Sequence, residues 1–180
     1  MKGVVFTEYL EFVEKSFGYD MVDQLITSCD LKSGGIYTAV GSYEFIELVQ
    51  LLTKTCELSH KQPEYLLRKF GWHLFGFFTE GYPQFFTTAQ SSFDILSTLD
   101  DKIHPEVLKL YPDAELPKFE IERKEEDMLV MVYRSSRKMS DFAEGLIEAC
   151  QNHFKEKGTI ETEQLDAHGE VVRFTVTKTP

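Results

Sequence analysis

The sequence predicts an α+β fold, a helical first third joined to a unit of helix plus antiparallel strands. Three observations carry this. Through the first 78 residues the apolar side chains recur at three- and four-residue spacing. From Phe119 onward they alternate at period two in four short runs. Between the second and third of those runs, Phe142–Phe154 returns to helical spacing. A chain of 180 residues suits one domain or two tightly joined subdomains. The expected organisation is one domain over 1–180, divided into a helical unit over 1–60 and an α+β unit over 61–180.

Taken in order, residues 3–17 carry a broad apolar face and end at Gly18, which stops the first helix. Asp20 is placed to cap a second helix running to Ser28, and Ser33-Gly34-Gly35 marks a turn. Ser42 begins a capping pattern for a helix over Tyr43–Cys56, with Phe45, Ile46, Leu48, Val49, Leu51 and Leu52 turned inward. Pro63 opens the longest helix at a position where its missing N–H costs least. That helix runs through Phe78 and contains Gly71 and Gly76, each costing about 1 kcal/mol relative to Ala, so close packing is expected there. Tyr82-Pro83 ends it. Phe93–Leu99 is a short helix, followed by an amphipathic helix led by His104. Phe119–Arg123 and Met128–Tyr133 form a hairpin across Lys124–Asp127. A helix starting at Ser140 or Asp141 is expected to stop at Gly158. Thr159–Leu165 and Glu170–Thr177 then pair across Ala167-His168-Gly169.

Composition excludes several classes. The net charge of −11 argues against nucleic acid and anionic membrane, which require basic patches. Cys29, Cys56 and Cys150 are odd in number and widely spaced, so neither a disulfide framework nor a zinc cluster is expected. Glu8, Glu11 and Glu14 interrupt the first apolar run, and no apolar stretch approaches the roughly 20 residues of a membrane span. These features predict a soluble, cytoplasmic protein without membrane insertion.

The chemistry concentrates in two stretches, Asp100–Pro117 and Tyr133–Arg137. His104 offers a neutral imidazole able to ligate a metal. Tyr133, Ser135 and Arg137 follow at alternate positions, which puts two hydroxyls and a guanidinium on one face of an extended segment. Such a set can grip a pair of carboxylates. An iron centre with two propionates, as in haem, requires that combination. With C-x-x-C-H absent, the expected form is non-covalent haem b. The 15 phenylalanines would also suit a wall around a flat apolar cofactor.

Met1-Lys-Gly-Val-Val-Phe6, His104 with Pro117 thirteen residues later, and Tyr133-x-Ser135-x-Arg137 together resemble the H-NOX family (haem nitric oxide/oxygen binding domains), over essentially the whole chain. The resemblance implies that His104 is the axial ligand and that Tyr133, Ser135 and Arg137 hold the propionates. It also implies that Pro117 and Val5 press on the haem. The distal face falls to Tyr9, Leu74, Phe78, Phe142 and Leu146. Oxygen-binding members carry a tyrosine where this chain has Phe142, an amide where it has Leu74, and a tryptophan where it has Tyr9. O2 as a ligand needs a hydrogen-bond donor, whereas NO and CO bind well in apolar surroundings. The resemblance therefore implies a sensor of NO and CO that excludes O2, not an enzyme. Signalling would follow cleavage of the bond to His104 and a shift between subdomains, acting in trans on a sensor histidine kinase or a cyclic-di-GMP enzyme. His73 lies beside Leu74 and is expected to point away from iron, and His60, His153 and His168 to be solvated. The competing readings are a peroxidase-like haem oxidoreductase and a thiol redox-responsive adaptor built on Cys29, Cys56 or Cys150.

Overall fold

A computed structural model describes residues 1–179. Its order is four helices, a single 3-10 turn (Pro83–Phe85), two short helices around a π-helical turn, a hairpin, one helix and a second hairpin. α1 (Gly3–Phe17) stops at Gly18, whose φ of 91° favours a residue without Cβ. α2 (Tyr19–Ser28) starts directly from Gly18, and Asp20 lies inside its first turn instead of capping it. α3 (Phe45–Ser59) begins two residues later than the sequence pattern suggests. The cause is local: Lys2 and Ser42 form an antiparallel bridge, and the Tyr43 N–H donates to the Met1 carbonyl at 2.9 Å. Residues 42–43 thus serve the chain start, not the helix. Ile46, expected inward, is 55% exposed.

α4 (Pro63–Gly81) is the longest element, with Pro63 in its first turn. α5 (Ser92–Leu96) is shorter than expected and is fixed by a capping box between Ser91 and Asp94. A π-helical turn, Leu99–Ile103, leads into α6 (His104–Leu110). No residue of α6 is fully buried, and Leu108 and Leu110 are 40% and 53% exposed, so its apolar face is only partly covered.

The four strands β1 (Lys118–Lys124), β2 (Met128–Arg134), β3 (Ile160–Gln164) and β4 (Val171–Thr177) form one antiparallel sheet in the order β1-β2-β4-β3. α7 (Ser140–His153) covers it. Its end comes before Gly158, at a turn containing Lys155 with φ 57°. Gly158 instead lets the chain pass Thr177, whose carbonyl a Cβ would strike. Among the described residues no helix is long and apolar enough to cross a membrane.

Two apolar clusters result. The first joins α1, α2 and α3 to Leu66, Phe70 and Leu74 of α4 and to Met139. The second joins Phe75 of α4, α5 and α7 to the sheet. Residue 60 lies between α3 and α4, and α4 packs into both clusters. α4 and α7 meet closely because Gly71 faces the Phe142 carbonyl and Gly145 faces the Arg68 backbone. Protein atoms pack closely at Gly71, whereas none lies within 4 Å of a Cβ at Gly76. At Gly145 an added methyl would meet the Arg68 carbonyl, which cannot yield without parting the helices. Gly145→Ala is therefore expected to cost about 2–3 kcal/mol, within the overpacking range. Thermal unfolding monitored by circular dichroism checks this.

Candidate cofactor site

His104 opens α6 immediately after the π-helical turn, a local geometry often found where a side chain must be re-aimed. Its Nδ1 lies 2.8 Å from Asp100 Oδ1, one helical turn earlier. The other oxygen of Asp100 accepts the Phe119 N–H at 2.9 Å, which ties the histidine to β1. The imidazole side chain is 16% exposed, and burial lowers its pKa while Asp100 opposes that shift. A neutral ring oriented through Nδ1 leaves Nε2 as the ligand atom; no hydrogen bond among the described residues uses it. The spacing from Asp100 to His104, four residues, was visible in the sequence, although the partner of the histidine was not identified from it.

Tyr133 ends the buried part of β2, at 2% exposure, and pairs across the sheet with Phe119. The ring of Phe119 is 6.0 Å from His104 and 5.5 Å from Tyr133, so it bridges the two stretches singled out by sequence. Burial raises the Tyr133 phenol pKa, opposed by hydrogen bonding to Ser135 and the Met139 backbone and by the Arg137 charge. The expected alternation along one strand does not extend through the triple. β2 ends at Arg134, the Ser135 N–H donates to the Glu170 carbonyl, and the Arg137 N–H turns back onto Ser135 Oγ at 3.2 Å. The three side chains are gathered by a strand end and a turn, with Lys138 at φ 54° completing it.

Arg137 is 15% exposed at its side chain and donates to the Glu115 carbonyl at 2.6 Å and to the Glu115 carboxylate at 2.5 Å. It also lies 5.9 Å from the Phe45 ring. Its fork thus already grips two oxygens of the loop that contains Pro117. A cavity of about 320 Å³ adjoins this point, lined by Glu115, Leu116, Ser135, Arg137 and Val171. The same loop is held from the other side: Lys2 pairs with Asp113 at 3.5 Å and lies 5.9 Å over the Tyr111 ring. Tyr111 in turn neighbours Tyr82 at the end of α4; burial first, then the Tyr82 side chain, pushes its phenol to about 12.

Leu74 and Tyr9 are buried in the first apolar cluster, with Val5, Phe78, Phe142 and Leu146 half-buried against it. The Phe142 ring packs 5.0 Å from Phe70. The Tyr9 hydroxyl donates to Thr55 Oγ1 at 2.9 Å, and the Thr55 hydroxyl in turn donates to the Leu51 carbonyl. Tyr9→Phe is expected to cost about 1 kcal/mol, the net value of one buried hydrogen bond. It should leave the response to air unchanged, as spectra recorded under argon and then under air would show. A second cavity of about 180 Å³, almost wholly apolar, lies beside Tyr9 between Leu48, Leu52, Leu67, Phe70 and Met139. Apart from Tyr9 and Arg137, the lining of this space was not anticipated from the sequence, because most of its residues read as ordinary helix core. His73 places Nε2 3.0 Å from Glu8 Oε2 and its ring 6.1 Å from Phe12. His60, His153 and His168 are exposed.

The donor chemistry fits haem. A neutral imidazole with a free nitrogen lies one aromatic ring away from two hydroxyls and a guanidinium. The fold and this donor set define a haem-binding sensor domain. Residues 2–162 match the family model described as haem-NO-binding, and the chain belongs to this family, the H-NOX domains. The H-NOX protein of K. algicida, solved in the unliganded Fe(II) form, is 38% identical. The match covers 100% of this chain and 97% of that one, with a TM-score of 0.95. The Shewanella woodyi H-NOX, solved with IWP-051 in the Fe(II)CO state, is 44% identical over 100% of this chain and 95% of its own, with a TM-score of 0.85. The S. oneidensis H-NOX in the Fe(II)NO state shares the fold at 21% identity, with full coverage of both chains and a TM-score of 0.91. A comparison with curated proteins returned no match.

Proposed function

We propose that this chain is a cytoplasmic haem-based sensor that binds NO and CO and leaves O2 unbound, holding haem b non-covalently through His104. Tyr133, Ser135 and Arg137 would take the propionates, and Pro117 and Val5 would bear on the two faces. When bound, haem would supply a ferrous iron able to take a diatomic gas, with His104 as its ligand from the protein. The observation that carries the reading is the lack of a free hydrogen-bond donor among the expected distal residues. Leu74, Phe78, Phe142 and Leu146 have none, and Tyr9 has spent its hydroxyl on Thr55. Nearby His73 has a ring nitrogen engaged by Glu8.

The remaining steps belong to the polypeptide. His104 stands on a short helix with no fully buried residue, next to a π-helical turn, so little packing resists its movement once it is released. The loop following that helix carries Pro117 and is tied to the chain start through Lys2–Asp113 and Lys2–Tyr111. Displacement of His104 therefore reaches α1 through two contacts, giving two arrangements that a gas can bias. The proposed readers are a sensor histidine kinase or a cyclic-di-GMP enzyme acting in trans. The test is the optical spectrum of the reduced protein under argon, then air, then NO. The expected result is a five-coordinate ferrous spectrum unchanged by air and shifted by NO. A shift on admitting air would overturn the exclusion of O2, and failure to take up haem would overturn the site.

A further inference from the structure

We infer that Glu8, Glu11 and His73 form a divalent metal site on the outer side of the α1–α4 contact, separate from the cofactor cradle. Glu8 and Glu11 are three residues apart on α1, which puts both carboxylates on one helical face. His73 meets them from α4, and one ligand atom from each residue lies within 4.8 Å of the other two. Two of the three are withdrawn from solvent: the Glu8 side chain is 9% exposed and that of His73 is 13%. The Glu8–His73 contact joins α1 to α4 at this point. Only Oε2 of Glu8 is engaged, by His73 Nε2; its Oε1 takes no hydrogen bond from the described residues and keeps contact with solvent, open to an ion. A cation would give that oxygen a partner and neutralise the buried charge.

The ligand set selects the ion. Two carboxylates and an imidazole suit a first-row divalent ion such as Zn²⁺ or Mn²⁺, with further positions open to water. The Glu8–His73 separation of 3.0 Å is close to the spacing of two ligands on such an ion, so a small rearrangement suffices. Glu11 is the exposed member and is held by Lys15 at 2.6 Å. That ammonium is also exposed and can swing into water when the ion arrives. An ion at this point would bridge the helix carrying Val5 and Tyr9 to the helix carrying Leu74 and Phe78.

The test is equilibrium dialysis of the full-length protein against Zn²⁺ and, separately, Mn²⁺, which disfavours thiolates and so discounts the three cysteines. Wild type should bind one equivalent of each. Glu11→Gln changes an exposed side chain and leaves the core intact; it should weaken both ions at least tenfold, and Glu8→Gln at least as much. Retention of wild-type affinity for both ions in Glu11→Gln and Glu8→Gln, or no stoichiometric binding by wild type, would overturn the assignment. Glu14→Gln, an exposed acid one turn along α1, serves as the control and should bind like wild type.

Discussion

His104→Gly should yield a protein that no longer gives the five-coordinate, histidine-ligated ferrous spectrum, and that regains it when imidazole is added to the buffer. Nδ1 of His104 is already fixed by Asp100, and the ring is kept neutral by burial, so the side chain is prepared for one further bond. Removing it deletes the sole proposed protein ligand to the haem iron. Loss of even an outer-shell partner commonly costs 10- to 100-fold in affinity. A tenfold loss, about 1.4 kcal/mol, is thus a lower bound for haem retention. The variant also separates ligation from signalling. Hydrogen exchange in ferrous His104→Gly should resemble that of NO-treated wild type across α1 and residues 111–117. If those segments instead retain the protection of the untreated wild type, release of the histidine is not the signal.

Phe142→Tyr should convert a protein indifferent to air into one whose ferrous spectrum shifts on exposure to it. Phe142 is half-buried in the first turn of α7, and its ring contacts Phe70 in the cluster that also holds Leu74 and Tyr9. A phenol there adds a donor where the proposed distal face has none. A net hydrogen bond of about 1–1.5 kcal/mol corresponds to roughly a tenfold gain in O2 affinity. NO and CO do not depend on that donor, and their affinities should change less than threefold. Gas titration of both proteins decides the matter. An unchanged response to air in Phe142→Tyr would place residue 142 outside the ligand pocket.

Most helix boundaries were legible from side chains that act locally. Gly18 ends α1 because its φ is positive, and Pro63 opens α4 because it tolerates a first-turn position. Two of the failures share one cause, long-range pairing. Ser42 has the pattern of a cap but is recruited by Lys2, forty residues away, and Gly158 looks like a helix stop but makes room for Thr177. The candidate site divides in the same way. His104, Tyr133, Ser135 and Arg137 could be picked out as residue types at a spacing. That β2 ends at Arg134, leaving the last two to be gathered by a turn, depends on the Glu170 backbone. Glu115, which occupies the Arg137 fork, carried no signal, because an exposed glutamate in a loop is indistinguishable from solvated charge.

α4 gives the two halves a common fate in unfolding. It supplies Leu66, Phe70 and Leu74 to one apolar cluster and Phe75 to the other, within a single uninterrupted helix. Melting either cluster strips one side of that helix, and a helix of this length has little stability without its packing. The chain therefore unfolds as one cooperative unit despite its two cores. Whatever loosens the cradle, loss of the prosthetic group included, is felt as lost stability in residues that never touch it.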